Sequence, residues 1–435
     1  MRLQFLKSYL YVPLISAHLI AILIRGYFLF PEFTLYPYLV SRGLLPYRQL
    51  IDQHLPGLFF GPISLPYYLT SNPFPLLLVF LFTLLLTDLL FFRLLKYHKV
   101  RYPLLYLSLF LVSHFFFSGN KLWIETFILP LLLILLLTVN SSSPLLNLVS
   151  GFTYGLALVL RPTLLIALFL LQIVFAKKLN RYHFSGFVIY PLLVLIYLGW
   201  HNLFPHFWTW GFQFNTSTYS RLALQYPNQL QLTAVVIFIA VPLIVLLKNS
   251  QWIKTLTLLS LLLPVYPRFD EERLQPFVLI TLLFFSQSKP GKLPPLFMLV
   301  IITLLSAKSL FSPPVGNFFL TEHTRQAALY VSSLPSPEVF VLGGSDLIYP
   351  LARKRPTGSL YIPSLPWYLT DSSLTILQLD VLRQNPHSPI VINSTAALAN
   401  HPITDYTPRV VDYIHSHYTL DQIIGPYYIY TTTPL

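Results

Sequence analysis

The chain contains a series of long apolar runs separated by short polar loops, and this pattern limits the possible folds more than any other feature. Runs of bilayer length lie near 8–28, 74–95, 102–117, 123–140, 145–160, 162–176, 184–204, 230–247, 253–266, 274–287 and 293–311. A helix of about 20 apolar residues is long enough to cross the hydrocarbon core of a membrane. Charged residues make up 10% of the chain, whereas they make up roughly a quarter of soluble domains. The sequence therefore predicts a polytopic α-helical membrane protein with about eleven transmembrane helices.

Two of the apolar segments are open to a second interpretation. Residues 1–28 have the basic start and apolar run of a secretory signal peptide, but no small-residue cleavage site follows the run. An uncleaved first transmembrane helix is the expectation, and a cleaved signal peptide is the alternative. The apolar segment 57–69 is short and interrupted by Pro62 and Pro66, so we expect it to lie on the membrane surface rather than cross the membrane.

The distribution of charge predicts the topology, because short cytoplasmic loops carry an excess of Lys and Arg. With a cytoplasmic N-terminus and eleven spans, the inner loops contain no acid and collect Arg2, Lys7, Arg93, Lys96, Lys99, Arg101, Lys177, Lys178, Arg181, Lys248, Lys254, Lys289 and Lys292. The same assignment places on the outer side Glu32, Asp52, Glu125, Asp270, Glu271 and Glu272. We therefore expect a multi-pass plasma-membrane protein, and this topology accounts for the net charge of +13 better than nucleic-acid binding does.

The composition changes near residue 317, where charged residues become common and long apolar runs end. Short β-rich segments follow at 339–344, 389–394 and 427–433, with helix-like segments between them at 321–333 and 374–385. Strands that alternate with helices are typical of α/β domains. The predicted organisation is a membrane domain over 1–317, with its first outer loop at 29–73, and a small extracytoplasmic α/β domain over 318–435.

Candidate chemistry is concentrated in the first outer loop. Glu32 follows the first apolar run at the water boundary, where a carboxylate can be partly desolvated and act as a general base. The alternative is that Glu32 is a solvated loop acid without a catalytic role. The chain has no cysteine, which excludes thiolate metal sites, disulfides and cysteine nucleophiles.

The loop from Glu32 onward, EFTLYPYLVSRGLLPYRQLIDQHLPG, resembles the first outer loop of GT-C-fold glycosyltransferases, the group that includes protein O-mannosyltransferases and aminoarabinose transferases. That family has an acid after the first span, then a G-x-x-P-Y-x-D segment and His-Pro-Pro. Here Pro31 and Glu32 stand where Asp-Glu is frequent, and His54, Leu55 and Pro56 stand for His-Pro-Pro. One carboxylate is therefore present where two are usual.

The resemblance implies a sugar transfer, with inversion, from a polyprenyl-phosphate donor to an acceptor hydroxyl on a lipid, glycan or protein. It implies a general base at Glu32, with Asp52 and His54 orienting Glu32 or the sugar. It places the donor phosphate on Arg268 and Arg273, with Arg161 as a further candidate. A substrate cavity would include Tyr36, Tyr47, Lys121 and Glu125. No metal or other cofactor is required, and the expected partners are the donor, the acceptor and membrane lipids, without nucleic acid.

Several of these residues also have structural interpretations, which the sequence leaves open. Arg268 and Arg273 could pair with the acids at 270–272, and Arg161 could reach lipid headgroups from a helix end. Lys121 and Glu125 have the i, i+4 spacing of a helical ion pair. The segment 343–346, GGSD, is expected to form a turn rather than a phosphate cradle. A transporter or lipid flippase and a non-catalytic lipid-binding scaffold are the rival functions.

Overall fold

The structure, a computed structural model, describes residues 10–54, 56–60, 75–176, 180–310, 320–343, 346–398 and 401–432. The described chain is mostly helical, with a small sheet region towards the C-terminus. It divides into two compact units. The first unit comprises Met1–Leu29, Phe74–Leu195 and Leu224–Gly316, and the second comprises Phe30–Pro73, Ile196–Ala223 and Asn317–Leu435.

The helices are labelled in chain order. They are α1 (Tyr11–Arg25), α2 (Glu32–Ser41), α3 (Gly57–Phe60), α4 (Pro75–Tyr97), α5 (Pro103–Phe116), α6 (Ile124–Thr138), α7 (Pro144–Leu160), α8 (Leu165–Phe175), α9 (Arg181–Trp200), α10 (Phe204–Phe207), α11 (Ser220–Leu222), α12 (Gln229–Lys248), α13 (Trp252–Ser260), α14 (Gln275–Gln287), α15 (Leu293–Leu310), α16 (Glu322–Ser333), α17 (Ile348–Ala352), α18 (Pro366–Leu369), α19 (Ser372–Gln384) and α20 (Pro408–His417). Irregular helical turns join some of them, including π-helical segments at Trp208–Gln213 and Asn215–Tyr219.

Every apolar run predicted from the sequence overlaps one of these helices. Among the described residues, three helices are long and apolar enough to cross a membrane, namely α4, α9 and α12. A mostly helical fold with candidate membrane spans is therefore confirmed, whereas the number of eleven spans stays a prediction. In the segment 57–69, the first four residues form α3, and residues 61–69 lie outside the described part of the chain.

Glycines allow two helices of the first unit to pack closely. A Cβ atom built on Gly151 would lie 1.8 Å from the carbonyl oxygen of His183, and one on Gly155 would lie 2.3 Å from the carbonyl oxygen of Phe187. Any larger residue at either position would force α7 away from the N-terminal part of α9. Small residues have this role wherever helix backbones come into contact in membrane proteins.

The second unit contains a five-stranded mixed sheet. The strands are labelled with the short pairs elsewhere in the chain as β1 (Phe28–Leu29), β2 (Lys121–Leu122), β3 (Glu338–Leu342), β4 (Arg355–Pro356), β5 (Ile390–Asn393), β6 (Ala397–Leu398), β7 (His401–Pro402), β8 (Thr419–Ile424) and β9 (Tyr427–Thr431). The sheet order is β4-β3-β5-β9-β8, with β3 parallel to β4 and β5, and β9 antiparallel to β5 and β8. The three β-rich segments predicted from the sequence form β3, β5 and β9.

The described residues 30–54 and 56–60 of the predicted first outer loop belong to this same unit, which the sequence did not predict. The backbone N–H of Ile51 donates to the carbonyl oxygen of Tyr361 at 2.9 Å, and the N–H of Tyr361 donates to the carbonyl oxygen of Gln49 at 2.8 Å. The Tyr368 hydroxyl accepts from the N–H of Gln53 at 2.7 Å. Backbone pairing therefore fixes the loop against the segment that follows β4.

Candidate active site

Glu32 is the first residue of α2, directly after Pro31. Its side chain is partly buried, and its Oε2 atom is buried without a hydrogen-bond partner. Burial raises the pKa of this carboxyl group from its ordinary 4.5 to about 7. A backbone hydrogen bond and the nearby His54 lower the pKa, while the charges of Asp52 and Asp346 raise it. A carboxyl group of this kind can exchange a proton near neutral pH.

Asp52 is held in place by two neighbours from the same loop. It is 2% exposed, and its Oδ1 atom lies 2.6 Å from His54 Nδ1 and accepts from the backbone N–H of His54 at 2.5 Å. Its Oδ2 atom accepts from the Tyr36 hydroxyl. Both carboxylate oxygens of Asp52 are therefore engaged, in contrast to the carboxyl group of Glu32.

The two tyrosines predicted to line a substrate cavity are core residues of the second unit. Tyr36 stacks on Phe59 with ring centroids 5.1 Å apart, and Tyr47 packs against Phe59 and Phe207 at 5.3 and 5.4 Å. The Tyr47 hydroxyl donates to the carbonyl oxygen of His54 at 2.8 Å. These contacts support the loop that carries Asp52 and His54, and a place for either ring in a substrate cavity stays a prediction.

Asp346 is a candidate site residue that the sequence reading missed. It comes shortly after β3 in the chain, and Gly343, directly after β3, has a φ of 65°. The Tyr361 hydroxyl donates to its Oδ2 atom at 2.8 Å, and burial raises the pKa of Asp346 from its ordinary 3.8 to about 7. The sequence predicted only a turn at 343–346, of which residues 344–345 lie outside the described part of the chain. The missed signal is an acid just beyond the carboxyl end of a parallel strand, where open α/β sheets bind ligands.

The predicted site residues that belong to the first unit form ion pairs with other side chains of that unit. Lys121 Nζ lies 3.1 Å from Glu272 Oε2, and Arg161 binds Glu125, which is 1% exposed. The i, i+4 pair between Lys121 and Glu125, which the sequence left open, is not formed, because each residue binds a partner from a distant part of the chain. A place for either residue in a substrate cavity stays a prediction. Burial raises the pKa of Glu272, and the charge of Lys121 offsets part of that effect.

The arginines predicted to bind the donor phosphate share one acid. Arg268 Nε lies 2.9 Å from Asp270 Oδ1, and an Arg273 guanidinium nitrogen lies 3.0 Å from Asp270 Oδ2. Glu271 accepts from Ser118 Oγ at 2.5 Å and from Gln231 Nε2 at 2.6 Å. This arrangement is the salt-bridge cluster that the sequence left open, and phosphate binding by Arg268, Arg273 or Arg161 stays a prediction.

Asp88, within α4, also has a partner in the first unit. His18 Nδ1 lies 2.8 Å from Asp88 Oδ2, and His18 Nε2 lies 3.3 Å from His114 Nδ1. All three side chains are buried. The contact between His18 and Asp88 needs α1 beside α4, which local spacing does not reveal.

The described residues contain no group of three or more His, Cys, Asp or Glu side chains placed to hold a metal ion. The structure brings Glu32, Asp52, His54, Tyr36 and Tyr47 into the second unit, together with Asp346. Lys121, Glu125, Arg161, Arg268 and Arg273 belong to the first unit.

No protein-family model matches the chain, and no curated protein matches it either.

Proposed function

We propose that this protein is an integral-membrane glycosyltransferase that moves one sugar from a polyprenyl-phosphate donor to an acceptor hydroxyl. The resemblance of the first outer loop to GT-C-fold enzymes supports the reaction class. The observation that carries the proposal is the carboxyl group of Glu32, with one oxygen buried without a hydrogen-bond partner and a pKa of about 7. A general base works best when its pKa lies near the working pH.

In this reaction the acceptor oxygen attacks the anomeric carbon and its proton passes to Glu32. The bond between the anomeric carbon and the phosphate oxygen breaks, and polyprenyl phosphate leaves with the bonding electron pair. The configuration at the anomeric carbon inverts. Asp52 and His54 act on this step as positioning residues, because the hydrogen bond from Tyr36 holds Asp52 beside α2 and the hydrogen bonds between Asp52 and His54 hold the loop.

In this proposal Arg268 and Arg273 bind the donor phosphate and neutralise its negative charge, and Arg161 is a further candidate for this role. Guanidinium groups bind phosphate oxygens in a bidentate way. Because Arg268 and Arg273 both contact Asp270, phosphate binding would require an exchange of carboxylate for phosphate. The metal-independent mechanism depends on these arginines to stabilise the leaving phosphate.

The proposed topology has eleven spans, a cytoplasmic N-terminus and an extracytoplasmic C-terminal domain. The chain has no native cysteine, so single cysteines can report the side of the membrane. Arg42→Cys and Lys96→Cys are both at exposed positions. In intact cells an impermeant maleimide should label the first and spare the second until the cells are opened. Equal labelling of both in intact cells would contradict the topology.

The activity test uses purified protein in liposomes with a panel of short-chain polyprenyl-phosphate monosaccharides and a cell-envelope extract as the acceptor source. Mass spectrometry of released polyprenyl phosphate and of glycosylated products measures transfer. We expect transfer by the wild type, and a loss of about 100-fold or more in Glu32→Gln, the range for a missing general base. Glu322→Gln is the matched control, since Glu322 is an exposed acid of the same unit. Undiminished transfer by folded Glu32→Gln would remove Glu32 from the mechanism.

A further inference from the structure

A chain of contacts within the second unit connects Glu32 with Asp346. Glu32 and Tyr36 are one helical turn apart in α2, so they share a face of that helix. The rings of Tyr36 and Tyr361 meet edge to face with centroids 6.2 Å apart, and the Tyr361 hydroxyl donates to Asp346. The sheet and the first outer loop thus bring two acids from distant parts of the sequence to the same tyrosines.

A second contact holds the same two segments together. The Tyr38 hydroxyl, also in α2, donates to the carbonyl oxygen of Lys354 at 2.9 Å. Lys354 follows α17, the short helix that begins just after Asp346. Two independent contacts therefore set the position of Asp346 relative to α2. One is the ring contact between Tyr36 and Tyr361, and the other is the hydrogen bond from Tyr38 to Lys354.

Several charged and titratable groups act on the two acids. Among the described residues they include Asp52, His54, Tyr36, Tyr349 and Tyr361. His54 is the basic group among them, and it is already bound to Asp52. The charge of Asp346 raises the pKa of Glu32, and burial raises the pKa of both acids.

We propose that Asp346 is a positioning residue that acts through Glu32, its negative charge making Glu32 a stronger base for the acceptor proton. This inference rests on the proposed function. Two nearby carboxyl groups in a buried site do not both ionise readily, so loss of one proton makes loss of the second harder. The two groups titrate as a pair.

The first test is the pH dependence of transfer by Asp346→Asn, in the liposome assay with the short-chain donor that the wild type uses. With Asp346 neutral, Glu32 ionises at lower pH, so the acidic limb of the rate profile should move down by about 0.5 pH unit or more. Asp380→Asn, an exposed acid of the same unit, should leave the limb in place. An unmoved acidic limb in folded Asp346→Asn would overturn the inference.

The second test needs no activity. Unfolding free energies are measured at pH 8 and pH 4.5 for the wild type, Glu32→Gln, Asp346→Asn and the double variant. If the acids repel each other, the gain of the double variant at pH 8 is smaller than the sum of the two single gains, and the difference disappears at pH 4.5. Additive gains at both pH values would overturn the inference.

The two tests separate this inference from the proposed function. Coupling between the acids without any transfer by the wild type would contradict the glycosyltransferase alone. Transfer without coupling would contradict only the role of Asp346.

If Asp346→Asn does not fold, Tyr361→Phe replaces it. Loss of the Tyr361 hydrogen bond raises the pKa of Asp346 further, which keeps Asp346 neutral and should move the acidic limb in the same direction. An unmoved limb in that variant would also overturn the inference.

Discussion

Two acids of the first unit, Glu125 and Glu272, and two of the second, Glu32 and Asp346, have contrasting surroundings. In the first unit, Glu125 binds Arg161 and Glu272 binds Lys121, so each acid has a cation as its partner. In the second unit, Glu32 and Asp346 lie among tyrosines, and burial raises the pKa of both to about 7. Paired acids of the first kind support structure, because each ion pair holds two segments of the chain together. Acids of the second kind can gain and lose a proton at physiological pH, which proton-transfer chemistry requires.

The largest expected effect comes from removal of a cation in the first unit. Arg161→Met leaves the carboxylate of Glu125, which is 1% exposed, without its partner. A broken buried ion pair costs about 3–5 kcal/mol of folding free energy. Equilibrium unfolding in mixed detergent micelles, followed by tryptophan fluorescence, measures this loss.

The matched control for that variant removes both charges. Arg161→Met combined with Glu125→Met should recover most of the lost stability, because a buried ion pair can often be replaced by apolar residues of similar size. A loss below about 1 kcal/mol in Arg161→Met alone would mean that the pair behaves as an exposed surface contact. The ion pair between Arg161 and Glu125 would then not stabilise the first unit as the contrast between the two units requires.

A smaller effect of opposite sign is expected in the second unit. The pKa of Glu32 is higher in the folded protein than in the unfolded chain, so the folded state binds more protons between about pH 4.5 and 7. Stability therefore falls as the pH rises through this window. Glu32→Gln cannot ionise, and it should be more stable than the wild type by about 1–3 kcal/mol at pH 8.

The pH dependence of that gain is its control. The gain should shrink towards zero as the pH approaches 4.5, where the wild-type carboxyl group is protonated in the folded state and increasingly so in the unfolded state. Glu322→Gln, at an exposed position, should show no such trend. If Glu32→Gln destabilised the protein equally at pH 4.5 and pH 8, Glu32 would have to be a charged structural residue like those of the first unit.

The smallest effect on stability is expected at the shared acid Asp270. Arg268→Lys and Arg273→Lys keep a positive charge near Asp270, so each should change the unfolding free energy by only about 0–1 kcal/mol. If these arginines bind the donor phosphate, transfer should nevertheless fall by about tenfold or more, because lysine lacks the planar guanidinium group. Melting temperature and turnover are measured on the same purified variants. Full turnover in both would remove Arg268 and Arg273 from the mechanism.

The sequence predicted local features well, because they depend on residues close together in the chain. The apolar runs predicted the helices of the first unit, and the β-rich segments predicted β3, β5 and β9. Asp52 and His54 could be associated from the sequence because they are two residues apart. Partners that depend on tertiary packing could not be found in this way. Asp346 lies close to the tyrosines near Glu32 as a result of tertiary packing, in which Ile51 donates a backbone hydrogen bond to Tyr361 and Tyr361 donates a side-chain hydrogen bond to Asp346.

The same reason applies to contacts of the first unit. Helical spacing allowed an ion pair between Lys121 and Glu125, but Lys121 lies in β2, before α6 begins at Ile124, and its side chain binds Glu272. Asp88 of α4 contacts His18 of α1, which is distant in the sequence. Both contacts depend on the packing of segments that lie far apart in the chain.

The protonation state of Glu32 tests the central contrast most directly. Infrared difference spectra of the folded protein, recorded between pH 5 and pH 9, detect the C=O stretch of a protonated carboxyl group. We predict a buried carboxyl signal that titrates with a midpoint near pH 7, is smaller in Glu32→Gln, where Asp346 still contributes, and is unchanged in Glu125→Gln. A signal that persists unchanged in Glu32→Gln, or a Glu32 midpoint below about pH 5, where an ordinary carboxyl group titrates, would contradict the account.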